Sequence, residues 1–274
     1  MKTDNRQTLV SQLHALGVRG GDVLMLHASL RKLGLAKSQG VDDGAGLLLD
    51  ALDEAVGPSG TLLMVLGTDY ALDHVNFRPV EERAALLKGM SPFDYLNAKV
   101  LPEVGWLAEA FRLRPGAVLS KNPSGRFAAR GGRADELVRD QPWHDYYGPG
   151  SPLEKLCQWG GRVLRLGSSL ETVTVLHYAE YVTNVPNKRR TRWDYVLEQG
   201  HVFIECLNDY DGIVEWEGDD YFAAIMTEYL ALKRHREGPV GRATAELCDA
   251  KDLVDFGARW MEKTFAPTSG QRAS

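Results

Sequence analysis

Three short apolar runs, each introduced by glycine, stand out in the pattern of hydrophobic and polar positions along the chain. They are GGDVLMLHASL from Gly20, GPSGTLLMVLG from Gly57 and GGRVLRLGSSL from Gly160. Each run is too short for a helix and is followed by small or polar residues. Such runs, alternating with helical segments, predict an α/β fold in which helices flank a central mixed, partly parallel sheet.

Helical periodicity fills most of the chain between and after these runs. The predicted helices cover residues 9–16, 47–56, about 103–112, about 219–235 and about 252–265. Asp42 or Asp43 can cap the second of them. From residue 68 to 102 the pattern weakens, which is typical of a segment that carries a binding site. No linker composition divides the chain, so we expect a single domain over residues 1–265 and a flexible tail over 266–274.

Composition and charge narrow the class of protein. Of the 274 residues, 44% are hydrophobic and 25% are charged, which is typical of a soluble globular enzyme. The net charge of −5 argues against nucleic acid as a partner and favours a cationic one. The beginning of the sequence lacks an apolar signal core, no run has the length of a membrane span, and three cysteines without close pairing are typical of reduced thiols. We therefore expect a cytoplasmic protein with no membrane partner.

Sequence motifs argue against several enzyme classes. HExxH, HxH and paired-cysteine spacings are lacking, so no metal is expected. The G-x-S-x-G motif of serine hydrolases is also lacking, as are the GxGxxG and Walker patterns of nucleotide-binding proteins.

A row of polar groups follows the third apolar run, in LRLGSSLETVTVLHYAE. Ser168 and Glu171 have the spacing of a capping box, which predicts that a helix begins here. Thr174, His177 and Glu180 recur every third residue and would share one face of that helix. Open α/β folds bind ligands in the crevice at the carboxyl ends of their strands. His177 is therefore expected near the site, although the spacing alone also fits a histidine satisfied in the core.

Several blocks of the sequence, of which this row is the most specific, resemble one known family. GSSLETVTVLHYAE, NVPNKRR and HREGPVGRA are similar to blocks of the aminoglycoside 3-N-acetyltransferases, antibiotic acetyltransferases unrelated in fold to the GNAT enzymes. The resemblance covers almost the whole chain, through GVRGGDVLMLHASLRKLG, EAVGPSGTLLM, SPFD, NPSGRFAARG, GPGSPLEKL and DLVDFGARWMEKTF. The chain departs from the family at Asn122, where many members have histidine, so a role of that histidine does not carry over. Residues 66–78 match weakly, which leaves the substrate preference open.

The resemblance implies transfer of acetyl from acetyl-CoA to the 3-amino group of a 2-deoxystreptamine antibiotic. Direct attack without an acetyl-cysteine is expected, because no motif surrounds Cys157 or Cys206. His177 is the matched general base, because an imidazole with a free pKa near ~6.5 can take a proton from the amine. Asp209 or Asp211, in LNDYDG, is expected to hold its other ring nitrogen. Thr174 is expected to donate its hydroxyl towards the thioester carbonyl, unless it bonds back to its own helix.

Two groups of residues are expected to bind the ligands. Coenzyme A needs basic side chains and backbone N–H groups for its phosphates, as at the turn from a strand into a helix. The predicted coenzyme A-binding residues are His27, Ala28, Ser29, Leu30, Arg31, Lys32, Ser120 and Arg189. A polycationic aminoglycoside needs carboxylates and aromatic surface. The predicted substrate-binding residues are Asp69, Tyr70, Asp94, Glu103, Glu180 and Glu217.

Other interpretations of the same residues remain compatible with the sequence. Each basic cluster also fits a solvated surface patch. The main alternative function is an acetyl-CoA-dependent N-acetyltransferase of the same fold that acts on a non-antibiotic amine. A non-catalytic protein that sequesters aminoglycosides in an acidic cleft is a further alternative. The expected assembly is a monomer or a homodimer.

Overall fold

The computed structural model describes residues 6–35, 44–68, 73–218 and 220–266, so the proposed cap at Asp42 or Asp43 lies outside the described residues. The helices are α1 (Arg6–Leu16), α2 (Leu30–Leu33), α3 (Gly44–Val56), α4 (Asp73–Asn76), α5 (Val80–Leu86), α6 (Trp106–Arg112), α7 (Ala134–Val138), α8 (Pro152–Gln158), α9 (Leu176–Val182), α10 (Tyr221–Ala231) and α11 (Ala250–Thr264). The strands are β1 (Val23–Ala28), β2 (Thr61–Val65), β3 (Val118–Leu119), β4 (Phe127–Gly131), β5 (Arg162–Leu166), β6 (Arg190–Leu197), β7 (Gly200–Leu207), β8 (Arg236–Val240) and β9 (Ala243–Asp249). A 3-10 turn covers Pro102–Val104.

The main sheet has seven strands in the order β3-β4-β2-β1-β5-β9-β8. The three apolar runs of the sequence form its centre, where β1 pairs in parallel with both β2 and β5. On either side the pairing becomes antiparallel, between β2 and β4 and between β5 and β9. The prediction of a mixed, partly parallel sheet flanked by helices is therefore confirmed.

The central strands are mostly apolar because both faces of the sheet are covered. Along β1, Leu24 points into a core layer under α1, α3 and α6, and Met25 points into the layer under α8 to α11. In the partner β5, Val163 and Leu164 divide between the same two layers. Burying one such side chain contributes about 1.5–3 kcal/mol, so the two layers account for much of the stability of the sheet.

Most of the predicted helices are present, but the predicted end of α10 is wrong. The chain leaves this helix at Ala231, and the segment predicted to continue it to residue 235 leads into strand β8 instead. Pro239 lies within β8 and cannot donate a hydrogen bond to a neighbouring strand. It is tolerated because β8 is the edge of the sheet and has a partner on one side only.

The capping box predicted at Ser168 and Glu171 is wrong. Helix α9 begins at Leu176, and its N-cap residue Val175 offers no side-chain bond. The segment before it is a loop because the guanidinium of Arg165 donates to the carbonyls of Ser168 and Ser169, at 3.1 and 2.9 Å. These bonds satisfy the backbone without a helix.

Strands β6 and β7 form a separate antiparallel ribbon that holds α4 and α5. The carboxylate of Asp194, in β6, is fully buried and receives Arg83 at 3.0 Å and both Arg192 and His201 at 2.8 Å. Asn76, at the end of α4, bonds to the backbone N–H and carbonyl of Asp194. The buried carboxylate of Asp194 therefore links α5, β6 and β7.

Among the described residues, no helix combines the length and apolar character needed to cross a membrane.

Candidate active site

A cavity of about 870 Å³ opens at the carboxyl ends of β1 and β5. Every residue of the predicted turn from His27 to Lys32 lines it, and Ser29 caps α2 by accepting from the N–H of Lys32 at 3.3 Å. The opposite wall comes from the 3-10 turn and the start of α6, where Trp106 is half exposed. We call this space the larger cavity. The exposed Arg31 and Lys32 give its rim a positive charge.

A buried arginine fixes one wall of the larger cavity. Arg165 is 1% exposed and forms an ion pair of 3.2 Å with Glu246 on the neighbouring strand β9. Its bonds to the carbonyls of Ser168 and Ser169 hold the loop that lines the cavity. The loop is thus anchored to the centre of the sheet.

Two buried polar atoms of the larger cavity lack a partner among the described residues. They are Nε2 of His27 and Oγ of Ser168. Burial, helped by the positive charge of Arg165, lowers the pKa of His27 to about 3, so this ring is neutral at physiological pH. Because buried polar atoms almost always have a partner, this wall is suited to a ligand with hydrogen-bonding groups.

A second, acidic pocket of about 370 Å³ adjoins the larger cavity. It is lined by carboxylate and aromatic side chains, which include Glu171, Glu180, Asp209, Tyr210, Asp211, Trp216, Asp220 and Tyr221. Glu171, His177 and Phe222 line both spaces. The imidazole of His177 therefore lies at the junction of a cavity with a basic rim and a pocket with acidic walls.

The ring of His177 is held on three sides. Its Nδ1 lies 2.8 Å from Oε2 of Glu180, one turn later on α9. The ring of Tyr147 stacks on it, with centroids 4.9 Å apart and planes 11° apart, and Phe222 meets it edge to face at 4.9 Å. Burial lowers the pKa of His177, but the charge and hydrogen bond of Glu180 outweigh this effect, so the pKa lies above its ordinary value. Nε2 is left as the nitrogen that can accept a proton.

The structure places Glu180 beside the ring of His177, where Asp209 or Asp211 is predicted. Glu180 is 1% exposed and bonds to the ring. It also lines the acidic pocket together with Asp209 and Asp211, so its predicted contact with the substrate stays a prediction. Asp209 is bound there by the hydroxyl of Tyr146. The reason is local geometry, because three residues along a helix bring Glu180 against His177.

The other predicted ligand-binding residues are scattered. Glu103 lines the larger cavity and not the acidic pocket. Asp94 binds the amides of its own turn, at residues 96 and 97. Glu217 is exposed between two residues that line the acidic pocket but is not itself among them.

Two predicted coenzyme A-binding residues lie outside the larger cavity. Ser120 is buried at the end of β3, where its Oγ accepts from the N–H of Phe127 at 2.9 Å. Arg189 contacts Asp211 at 3.6 Å, on the side of the acidic pocket. The predicted binding of coenzyme A by these two residues stays a prediction. Asp69 and Tyr70 lie outside the described residues.

Asn122 has a structural position of its own. Its amide donates to the carbonyls of Pro142 and Trp143, and its oxygen accepts from the N–H groups of Ser124 and Gly125. The two donated bonds join this loop to the loop at residues 142–143, and the two accepted bonds stay within the loop. Asn122 is not among the residues that line the two ligand spaces. Asn122 therefore stands where many family members have histidine, and both the nitrogen and the oxygen of its amide have hydrogen-bond partners.

Sequence reasoning missed the aromatic residues that contact the ring of His177. Tyr147 and Phe222 are far from His177 along the chain, and nothing local in the sequence signals their contact. The position of Glu180 could have been found, since glutamate three residues after histidine on a helix is a readable signal.

Comparisons with known proteins agree along nearly the whole chain. The family model for aminoglycoside 3-N-acetyltransferase matches residues 25–262. Aminoglycoside N(3)-acetyltransferase III of Serratia marcescens is 36% identical over 94% of this chain and 97% of its own. Aminoglycoside N(3)-acetyltransferase VII of Streptomyces paromomycinus is 35% identical over 97% of this chain and 94% of its own.

Solved structures with the same fold include one complex with CoASH and one with sisomicin. The structure of AAC-IIIb with CoASH has a TM-score of 0.84 and 35% identity, over 97% of this chain and 98% of that one. The structure of AAC-VIa bound to sisomicin has a TM-score of 0.87 and 35% identity, over 96% and 98%. The resemblance seen in the sequence blocks is confirmed, and the chain belongs to the aminoglycoside 3-N-acetyltransferase family.

Proposed function

We propose that the chain transfers the acetyl group of acetyl-CoA directly to the 3-amino group of a 2-deoxystreptamine aminoglycoside, with His177 as general base. The observation that carries the proposal is the position of one imidazole at the junction of the larger cavity and the acidic pocket. A base there can reach an amine in one space and a thioester in the other.

The larger cavity suits acetyl-CoA. Its volume of about 870 Å³ accommodates a long cofactor arm, and Arg31 and Lys32 offer positive charge to phosphates. The unpartnered Nε2 of His27 and Oγ of Ser168 offer hydrogen-bonding groups along the wall. The fold shared with AAC-IIIb, solved with CoASH, supports this assignment.

The acidic pocket suits an aminoglycoside, whose sugar rings carry several amino groups. Asp209, Asp211 and Asp220 supply negative potential, and the aromatic surfaces of Tyr210 and Trp216 can pack against sugar rings. The relative AAC-VIa, solved with sisomicin, supports an aminoglycoside in this position.

The arrangement supports a direct transfer. The amine attacks the thioester carbonyl in its neutral form, and Nε2 of His177 takes the proton that the nitrogen loses as the bond forms. The negative charge that develops on the carbonyl oxygen can be met by the hydroxyl of Thr174, which lines the larger cavity. The C–N bond forms, the C–S bond breaks, and His177 returns its proton to the departing sulfur of coenzyme A.

The cysteines support direct transfer over an acetyl-cysteine intermediate. Burial raises the pKa of Cys157 and of Cys248 to about 12, and burial also raises the pKa of Cys206. Thiolates are the nucleophilic form, so these residues are poor acceptors at neutral pH. Among the described residues, neither space is lined by a cysteine.

The carboxylate of Asp211 is expected to attract the substrate without taking part in the chemistry. Replacing Asp211 by Asn should raise the KM for the aminoglycoside about fivefold and change kcat little, because an exposed charge contributes about 1 kcal/mol. The change also leaves Arg189 unpaired beside a cationic ligand. Steady-state kinetics at low and high salt would measure the change in KM, with Glu217→Gln as the matched control. Equal KM values for the two variants would contradict the prediction.

The proposed function is tested by thiol release from acetyl-CoA, followed with a chromogenic disulfide. The amines would be gentamicin, tobramycin, kanamycin, neomycin and apramycin, and the acetylated nitrogen would be identified by NMR of the product. Turnover at the 3-amino group of some of these drugs is the expected result. If the protein binds acetyl-CoA but acetylates none of these drugs, the proposed substrate class is wrong, and other amines would be tested.

A further inference from the structure

The hydroxyl of Tyr221 has two hydrogen-bond partners and takes no direct part in the proposed chemistry. The side chain is buried at the start of α10. Its hydroxyl donates to Oε1 of Glu180, the oxygen that His177 does not contact. The same hydroxyl accepts from the backbone N–H of Ile213 at 3.2 Å. A continuous chain of hydrogen bonds therefore runs from the backbone at Ile213 to the imidazole.

The direction of these bonds follows from the groups themselves. A backbone N–H can only donate, so the oxygen of Tyr221 must accept from Ile213. The single proton of the hydroxyl is then directed at Glu180. With one carboxylate oxygen held in this way, the other is aimed at Nδ1 of His177.

The same tyrosine supports the loop that carries the acidic pocket. Asp209 and Asp211 belong to the loop that ends at Ile213, and both line that pocket. Gly212 has a φ of +79°, and a Cβ at this position would lie 2.6 Å from the ring of Tyr221. The backbone of the loop is thus packed directly on the tyrosine, which joins the substrate pocket to the base.

We infer that Tyr221 is a positioning residue for the His177–Glu180 pair. Its hydroxyl orients the carboxylate, draws off part of its negative charge and fixes the loop that bears Asp209 and Asp211. The inference rests on the proposed function, because it concerns how the base is held for its reaction.

Other charged groups face the pair and remain unchanged when only the hydroxyl is removed. Asp209 and Asp220 add negative potential at His177. Lys188 adds positive potential near Glu180. Tyr221 itself is neutral, because burial raises the pKa of its hydroxyl. A change in the titration of His177 on replacing Tyr221 by Phe therefore reports the lost hydrogen bond.

The decisive experiment compares Tyr221→Phe with Tyr229→Phe. Tyr229 is a matched control: it lies on the same helix, is buried, and donates to a carboxylate, Asp252, at 3.0 Å. The pKa of His177 would be measured by NMR of the histidine ring, with His177→Gln to assign the signal. In Tyr221→Phe we expect it to rise by about 0.5–1 unit, because Glu180 then holds the imidazolium more strongly.

Kinetics give the second measurement. In Tyr221→Phe, kcat should fall about tenfold, because the ring is held less well in its reactive position. The acid limb of the kcat/KM profile should move to higher pH with the pKa of His177, and the KM for acetyl-CoA should not change. Tyr229→Phe should keep the wild-type kcat and pH profile.

The outcomes separate the two proposals. If Tyr221→Phe and Tyr229→Phe have the same imidazole pKa and the same kcat, the hydroxyl of Tyr221 only supports the fold, and the inference is wrong. If the wild-type protein transfers no acetyl group to any amine, the proposed function fails. The NMR comparison of the two tyrosine variants still decides the role of Tyr221 in that case.

Discussion

Replacing His177 by Gln is expected to lower kcat by about 10²–10⁴-fold, which is the usual contribution of a general base. Glutamine keeps a polar group beside Glu180 but cannot take up a proton. The KM values for both substrates should change little, because the walls of the larger cavity and of the acidic pocket remain. Steady-state kinetics, with calorimetric binding of coenzyme A and of the aminoglycoside, would measure the two effects separately.

His144→Gln is the matched control for that variant. The Nδ1 of His144 accepts from the N–H of Glu205 at 2.9 Å, and the residue lines neither ligand space. Its kcat should equal that of the wild type. A His177→Gln variant that kept more than a tenth of the wild-type kcat would exclude the imidazole as the base.

Replacing Glu180 by Gln is expected to lower kcat by about 100-fold or more, since losing the partner of a catalytic histidine leaves the wrong tautomer. The amide of Gln can donate to Nδ1 of His177, which moves the ring proton to Nε2 and blocks the position that accepts the proton of the amine. The carboxylate is also the group that raises the pKa of His177 against the effect of burial. Without it the pKa falls, so the acid limb of the kcat/KM profile should move to lower pH.

The pH dependence of kcat/KM would be compared with that of Glu154→Gln. Glu154 accepts from the hydroxyl of Tyr178 at 2.8 Å, as Glu180 accepts from Tyr221, but it lies outside both ligand spaces. The control variant should keep the wild-type acid limb. An acid limb that stayed in place or moved to higher pH in Glu180→Gln would show that Glu180 does not set the titration of the base.

The central strands could be predicted from sequence because a parallel strand is buried on both faces and appears as a continuous apolar run. The β6–β7 ribbon was not predicted, and its pattern explains why. Asp194 is fully buried as the centre of an ion-pair network, whereas Phe203 on the partner strand is 40% exposed. A pattern that places charge inside and an aromatic ring outside does not alternate in the way that indicates a half-buried strand.

The site could be predicted as far as its local geometry extends. The turn from His27 to Lys32 and the position of His177 follow from strands, glycines and helical spacing within single segments. The contact between His177 and Glu180 is within reach of the sequence, because the two residues are three apart on one helix. The distance from Asp209 and Asp211 to the same ring depends on how α9 and the 208–213 loop meet in space. No local pattern encodes that distance, so the sequence does not exclude these two aspartates as partners of the histidine.

The buried Arg165 makes the larger cavity a preorganised site. Because the protein itself makes the bonds from Arg165 to the carbonyls of Ser168 and Ser169, the wall of the proposed acetyl-CoA site needs no ligand to hold its shape. The entropy of ordering this loop is then lost on folding and not on binding, so more of the contact energy remains as affinity.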